Sequence, residues 1–481
     1  MNPAIIGREN EIRILEKLLN SKDPELLAIY GRRRIGKTFL IKSYYQEHIV
    51  FSCSGQYNGK TPEQLINFAE QLNLYFPGKK TILVPTTWQE AFSLLRECIE
   101  SLKGSEKKVI FFDELPWLDS HKSGFLSAFS YFWNMHASQR ADILVVICGS
   151  AASWIIDKVV NNKGGLHNRI TQRIRLLPFT LGETEAYLRQ RNIKLDRYQI
   201  LQLYMVMGGV PAYLKAVEGG GLSAAQNIEN CCFSKDGVLY NEFDNLYAAL
   251  FNNPQKHIEV IRVLSRKSKG LTRSEILKAG KILTGGGITT VLNELTESGF
   301  IQKTFPFGKK EKDSLFRLAD EFSLFYFKFM QKGEGYGYKK ADWLGIQTTQ
   351  AFVGWCGYIF ETICMKHLGQ IKRSLQIGGV HSVASSWYKP GKGKDSGAQI
   401  DLLLDRADRC INICEIQFST KPFVIDKKYA ADLQNKLMIF RQTTDIQKTL
   451  FLTFITTYGV FGNDYKYQMV DSEVTMESLF E

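Results

Sequence analysis

The residues best placed to do chemistry stand in two groups, one near each end of the chain. The first is Gly31-Arg32-Arg33-Arg34-Ile35-Gly36-Lys37-Thr38, followed by Phe39. This is the G-x-x-x-x-G-K-T spacing of a phosphate-binding loop. Glycines let the backbone approach phosphates with no Cβ in the way. Successive N–H groups and the start of a helix favour an anion. Lys37 would reach the β- and γ-phosphates of ATP, and Thr38 would offer its hydroxyl to Mg²⁺. The acid that completes such a site is Asp113, which would hold Mg²⁺ through water. Beside it, Glu114 would orient or deprotonate the attacking water, which argues for hydrolysis over binding alone. Ser150 is either a γ-phosphate sensor beside Glu114 or a turn residue. Arg169 is either an arginine finger or a surface arginine.

The second group is Glu361, Asp401, Glu415 and Gln417. Two carboxylates on adjacent strands plus a helical glutamate would bind Mg²⁺ and activate water for phosphodiester cleavage. Glu415 and Gln417 are two apart, so they share a face of a strand.

These residues need particular elements beneath them. Residues 26–30 (LLAIY) read as a buried strand feeding the loop, and 39–45 continue as a helix. Residues 107–114 (KKVIFFDE) are a buried strand running into the two acids, and 142–150 (DILVVICGS) are another. From residue 253 the texture changes. HIEVIRVLS is helical, and LTRSEILK opens with Thr272 as N-cap and Glu275 three later. Residues 288–298 are helical through Ile288, Val291, Leu292 and Leu295, and Gly299 ends them. Two strands, 300–304 and 315–318, flank a charged turn. Three helices and a two-stranded hairpin resemble a winged helix domain, which reads DNA with its helices and basic wing. Arg266, Lys267, Lys269, Arg273, Lys309, Lys310 and Lys312 would touch phosphates. ITTVLNELTES, the candidate recognition helix, has no base and two acids, and packing between domains is the other reading. Further on, 357–361 (GYIFE) begin a helix, and 399–405 and 410–418 form a hairpin. The Lys389–Lys394 stretch is basic and either follows a nucleic-acid backbone or is simply solvated.

Length and composition agree. The chain has 481 residues, 44% hydrophobic and 23% charged, which excludes disordered, collagenous and disulfide-scaffold classes. Its net charge is 61 − 49 = +12, which favours an anionic partner, DNA foremost. The nine cysteines lack metal-ligand spacing, no apolar run reaches 18 residues, and no signal peptide opens the chain, so a cytoplasmic protein is expected.

Taken together, IGRE at 6–9, GRRRIGKT, IFFDELPWL, CGSAASW, LHNRIT and YMVMGGVPAYL resemble the prokaryotic AAA-type ATPases of archaea and bacteria. The resemblance covers roughly the first half of the chain. It implies a parallel-sheet core with a helical lid. It also implies that Arg8 lies on the adenine side and that the LHNRIT region carries the finger-like arginine. A finger acting in trans would require a homo-oligomer. The C-terminal pattern resembles the PD-(D/E)XK nuclease superfamily and the domain of unknown function that commonly follows this ATPase. Asp401 matches the first acid, Glu415 the second and Glu361 the helical one. The motif lysine falls on Gln417, which carries no charge for the nucleophile; Lys421 is a nearby substitute.

The expected fold is α/β. It has a P-loop core over 1–172, a helical lid over 173–250, a winged helix over 251–320, a helix and linker over 321–350, and a nuclease-like domain over 351–481. The expected function is an ATP-hydrolysing enzyme acting on DNA, which its last domain cleaves or binds under ATP control. The alternative is a non-cutting switch on a protein or DNA partner.

Overall fold

The computed structural model describes residues 5–481 except 78–80, 151–153, 161–164, 167, 252, 281–286, 332–342, 348 and 392–396, together with the side chains of 157 and 160. Lys392 and Lys394 of the basic stretch lie outside the described residues. Two compact units emerge, one built mainly from residues up to Pro178 and one mainly from Phe179 onward. Among the described residues no helix is long and apolar enough to cross a membrane.

The first unit is built on a five-stranded, all-parallel sheet. Its strands are β1 (Glu25–Tyr30), β2 (Ile49–Ser54), β3 (Lys108–Asp113), β4 (Ile143–Gly149) and β5 (Gln172–Arg175), in the order β2-β3-β4-β1-β5. β3 and β4 are buried along their whole length, as strands covered on both faces must be. Alternation divides their side chains between two cores. Ile110, Phe112, Val145 and Ile147 face one, and Val109, Phe111, Leu144 and Val146 face the other. β5 pairs with β1, so the sheet runs past the boundary expected at residue 172. The short, charged QRIR segment carries too little apolar signal to read as a core strand.

In the second unit, Leu181–Gln190, Arg197–Met207 and Ala224–Ile228 are helical and fall in the segment expected to form a lid. This helical segment, however, clusters with the C-terminal residues in one compact unit. His367 is one reason. Its Nε2 accepts the Leu181 N–H at 3.0 Å, and its Nδ1 donates to Ile363 O at 2.8 Å. Burial holds this imidazole down to about 4. An unfolded histidine protonates near pH 6.5, so this contribution is complete above that pH and is lost as pH falls toward 4. Wild type is expected to lose about 2 kcal/mol more than His367→Gln between pH 7 and 5, read as urea-unfolding free energies. Parallel losses would rule out the neutral-histidine pin.

Pro254–Ser265, Arg273–Ala279 and Ile288–Glu297 are the next helices, and Thr272 and Glu275 form the expected capping box. Their sheet has three strands where two were expected: β6 (Leu271–Thr272), β7 (Ile301–Thr304) and β8 (Leu315–Leu318), in the order β6-β8-β7. β6 is only two residues long, below what any sequence pattern can signal. The charged turn between β7 and β8 does not project freely. Phe307 N donates to Ser386 O at 2.7 Å, and the Phe307 ring lies 5.7 Å from Phe440 in the C-terminal core.

The C-terminal sheet contains β9 (Ser382–Lys389), β10 (Ala398–Arg406), β11 (Cys410–Gln417), β12 (Thr449–Thr456) and β13 (Ser472–Thr475), in the order β13-β12-β11-β10-β9. β9, β10 and β11 are antiparallel, and β11, β12 and β13 are parallel. Lys427–Thr444 is the helical crossover that the parallel β11–β12 pair needs. The helix carrying Glu361 starts at Gln350, capped by Thr349, about two turns before the expected Gly357. Its apolar character all round gives no amphipathic edge from which to read a start.

Candidate functional site

The phosphate loop lies between β1 and the helix Lys37–Tyr44. Gly31 has φ +148°, and a Cβ there would stand 2.3 Å from Leu176 O, so no other residue fits without moving backbone. Gly36, at φ +89°, caps the helix in the left-handed region. Arg34 also has positive φ, at +70°. The alternation turns the loop into a backbone concavity. Lys37 is buried, and its Nζ donates to Gly31 O and Arg32 O, both at 2.8 Å. Burial lowers its pKa. Arg32 and Ile35 are buried, whereas Arg34 and Phe39 are exposed.

Arg8 is buried against this loop. It donates to Ile35 O at 3.3 Å and to Leu177 O at 2.7 Å, thereby tying the loop to the chain after β5. The guanidinium therefore braces backbone at the loop, a role the sequence resemblance did not specify.

Thr38 Oγ1 donates to Asp113 Oδ2 at 2.8 Å, joining the two halves of the site. Asp113 Oδ1 accepts the Glu114 N–H at 3.0 Å. Glu114 adopts φ +44° just past β3, which turns its side chain toward β4. There Glu114 Oε2 accepts from Ser150 N at 3.1 Å and from Ser150 Oγ at 2.9 Å. Ser150 thus grips Glu114 through both its backbone N–H and its hydroxyl, a contact neither sequence reading specified. Arg169 is exposed in a turn, its N–H donating to Leu166 O at 3.1 Å.

The C-terminal group also converges. Leu402 faces Cys414 across the β10–β11 pair, so Asp401 stands level with Glu415. Glu361 is pushed up to about 7 by burial and then by the charge of Asp401, with Glu415 adding less. Two internal cations answer these acids. Arg317 Nη2 lies 2.8 Å from Glu361 Oε2, and Lys436 Nζ lies 2.5 Å from Glu415 Oε1. Gln417 Nε2 donates to Tyr429 OH at 2.9 Å, and that hydroxyl donates to Glu415 Oε2 at 3.4 Å. Gln399 donates to Asp401. Lys436, from the crossover helix, supplies the cation at Glu415, while Lys421 is exposed. Tyr429 and Lys436 are seven apart, two helical turns on one face, and that spacing was the available signal. Among the described residues no cluster of three or more His, Cys, Asp or Glu side chains is arranged to hold a metal ion. Of the acids expected to ligate Mg²⁺ here, Glu361 and Glu415 are paired with internal cations, and Asp401 accepts from Gln399.

Residues 5–217 match a family described as an ATPase domain predominantly from Archaea. An uncharacterised protein of Methanocaldococcus jannaschii is 24% identical over 442 residues, 90% of this chain and 91% of its own. An uncharacterised ATP-binding protein of the same organism is 42% identical over 41 residues, 8% of this chain and 70% of its own. Among solved structures, the Walker-type ATPase of Pyrococcus abyssi is similar at a TM-score of 0.51 and 18% identity, covering 68% of this chain and 96% of that one. The residues that match the ATPase domain family thus contain the α/β parallel-sheet core.

Proposed function

We propose that this chain hydrolyses ATP at residues 31–38 and acts on DNA through its second unit. One observation carries the first part: Thr38 meets Asp113 at the same strand end where Ser150 holds Glu114. A hydroxyl and a carboxylate are the oxygen donors Mg²⁺ takes, with waters and phosphates completing its shell, so two protein groups suffice. Thr38 and Asp113 would hold it, and it would neutralise charge on the β- and γ-oxygens. Lys37 binds the same phosphates through its ammonium. Glu114 takes the proton of the attacking water, and Ser150 keeps that carboxylate oriented.

Support for DNA comes from the +12 charge and from the helices and three-stranded sheet of residues 254–318, which have the makeup of a winged helix. One acid of its third helix is internally spent: Glu294 lies 2.6 Å from His257 Nε2. Lys309, Lys310 and Lys312 stay exposed. Lys269 sits over the Tyr388 ring at 4.4 Å, so it serves packing before phosphate contact.

A second reading, metal-dependent DNA cleavage, is favoured by the meeting of Glu361, Asp401 and Glu415 on a sheet with the mixed order described above. The ion pairs to Arg317 and Lys436 favour binding without cutting. Phosphate release from ATP is expected for wild type and is expected to fall at least about 100-fold in Lys37→Ala. Equal rates would refute the site. Incubating wild type and Glu415→Ala with linear, circular and single-stranded DNA, in Mg²⁺ or Mn²⁺, decides the rest. Cutting lost in Glu415→Ala establishes a nuclease; intact DNA with salt-dependent binding establishes the non-cutting switch. Binding insensitive to salt points to a protein partner.

A further inference from the structure

Arg33 sits in the phosphate loop between Lys37 and the acid-bearing turn after β3. Its guanidinium carbon is 5.5 Å from the centre of the Trp117 ring. Trp117 N donates to Glu114 O at 2.9 Å, so the ring belongs to the same turn that presents the water-activating acid. Trp117 also meets the Tyr57 ring edge-on, at 5.4 Å. Gly55 lets this happen: a Cβ there would stand 2.9 Å from the Trp117 Cβ and 2.6 Å from Glu114 O. The charge of Arg33 is also felt at Lys37, where it adds to the burial that lowers the ammonium pKa.

Lys37 and Arg33 place two cations in one short loop beside Asp113 and Glu114, whose charges favour the Lys37 ammonium while Arg33 opposes it. The cation–π contact with the indole holds the Arg33 charge beside the loop before any ligand arrives. Phosphoryl transfer is catalysed mainly by positive charge placed where negative charge spreads over the γ-oxygens.

We infer that Arg33 is a catalytic residue of the proposed ATP hydrolysis, supplying from the loop itself the cation that stabilises the γ-phosphoryl group in the transition state. In that step the water oxygen forms a bond to the γ-phosphorus. The bond from that phosphorus to the β,γ-bridging oxygen breaks, and the electron pair leaves with the β-phosphate of ADP. The water proton passes to Glu114. Arg33 donates N–H bonds to the γ-oxygens throughout, and Trp117 is its positioning residue. An arginine from a second copy of the chain is then unnecessary, and Arg169 is dispensable.

The inference rests on the ATPase reading, and steady-state turnover by the full chain tests both separately. Arg33→Ala is expected to lower kcat by about 100-fold or more with KM for ATP changed less than about threefold. Arg33→Lys should recover part of kcat. Trp117→Leu should lower kcat at unchanged KM. Binding of ADP with aluminium fluoride should weaken in Arg33→Ala far more than binding of ADP alone, which also shows that the variant is folded. Turnover per chain should not depend on protein concentration. A kcat in Arg33→Ala within twofold of wild type, beside a dead Lys37→Ala, overturns the inference and leaves the ATPase intact. A wild type with no turnover overturns both.

Discussion

Glu114→Gln is expected to lower ATP turnover by about a thousandfold while ATP stays bound, because general-base catalysis contributes about 10²–10⁴. The substitution is close to isosteric. Its amide oxygen can still accept from Ser150 N and Oγ, so the turn at φ +44° keeps its partners. What disappears is the basic oxygen. The contacts of Lys37 to the loop and of Thr38 to Asp113 do not involve Glu114, so the phosphate cradle is untouched. Phosphate release followed beside ATP binding by calorimetry separates the two effects. Turnover within tenfold of wild type would remove Glu114 from the chemistry. Lost binding would make it a structural acid.

Lys436→Met is expected to destabilise the second unit by about 3–5 kcal/mol, the usual result of stripping one partner from a buried ion pair. Glu415 is 6% exposed, and burial already raises its pKa against the pull of Lys436. Without the ammonium its pKa rises further above the unfolded value. A raised carboxyl pKa costs no stability below the unfolded pKa, and the cost grows as pH climbs toward the folded one. The defect should therefore shrink on acidification toward pH 4.5. Lys436→Met combined with Glu415→Gln should regain most of the loss, since a neutral amide can still bond Tyr429. Urea unfolding and hydrogen exchange of β11 would report both. A double variant no better than the single one would show that Lys436 acts by packing alone.

Much of the first unit was written locally. Gly31, Gly36, Lys37 and Thr38 announce a phosphate loop because backbone geometry allows few other residues there. The apolar runs ending at Asp113 and Ser150 read as strands because a parallel sheet covered on both faces has no polar alternation. Thr272 and Glu275 signalled a helix start because capping is a contact within four residues. Asp401 and Glu415 could be paired from sequence because a short hairpin sets its own register.

Tertiary structure decided the rest, and in each case the partner is distant in the chain. Ser150 reaches Glu114 across 36 residues, and only their shared strand end makes it a grip. Arg33 finds Trp117 because the loop after β1 and the turn after β3 both lie at the C-terminal end of the parallel strands. Lys436 and Arg317 neutralise acids that spacing alone presented as free metal ligands. His367 accepts a helix N–H from 186 residues away. The charge that a group carries inside a protein depends on burial and on neighbours brought by the fold. Residue type and spacing could name the chemistry, but which acids face a cation and which face water was set only when the sheets closed.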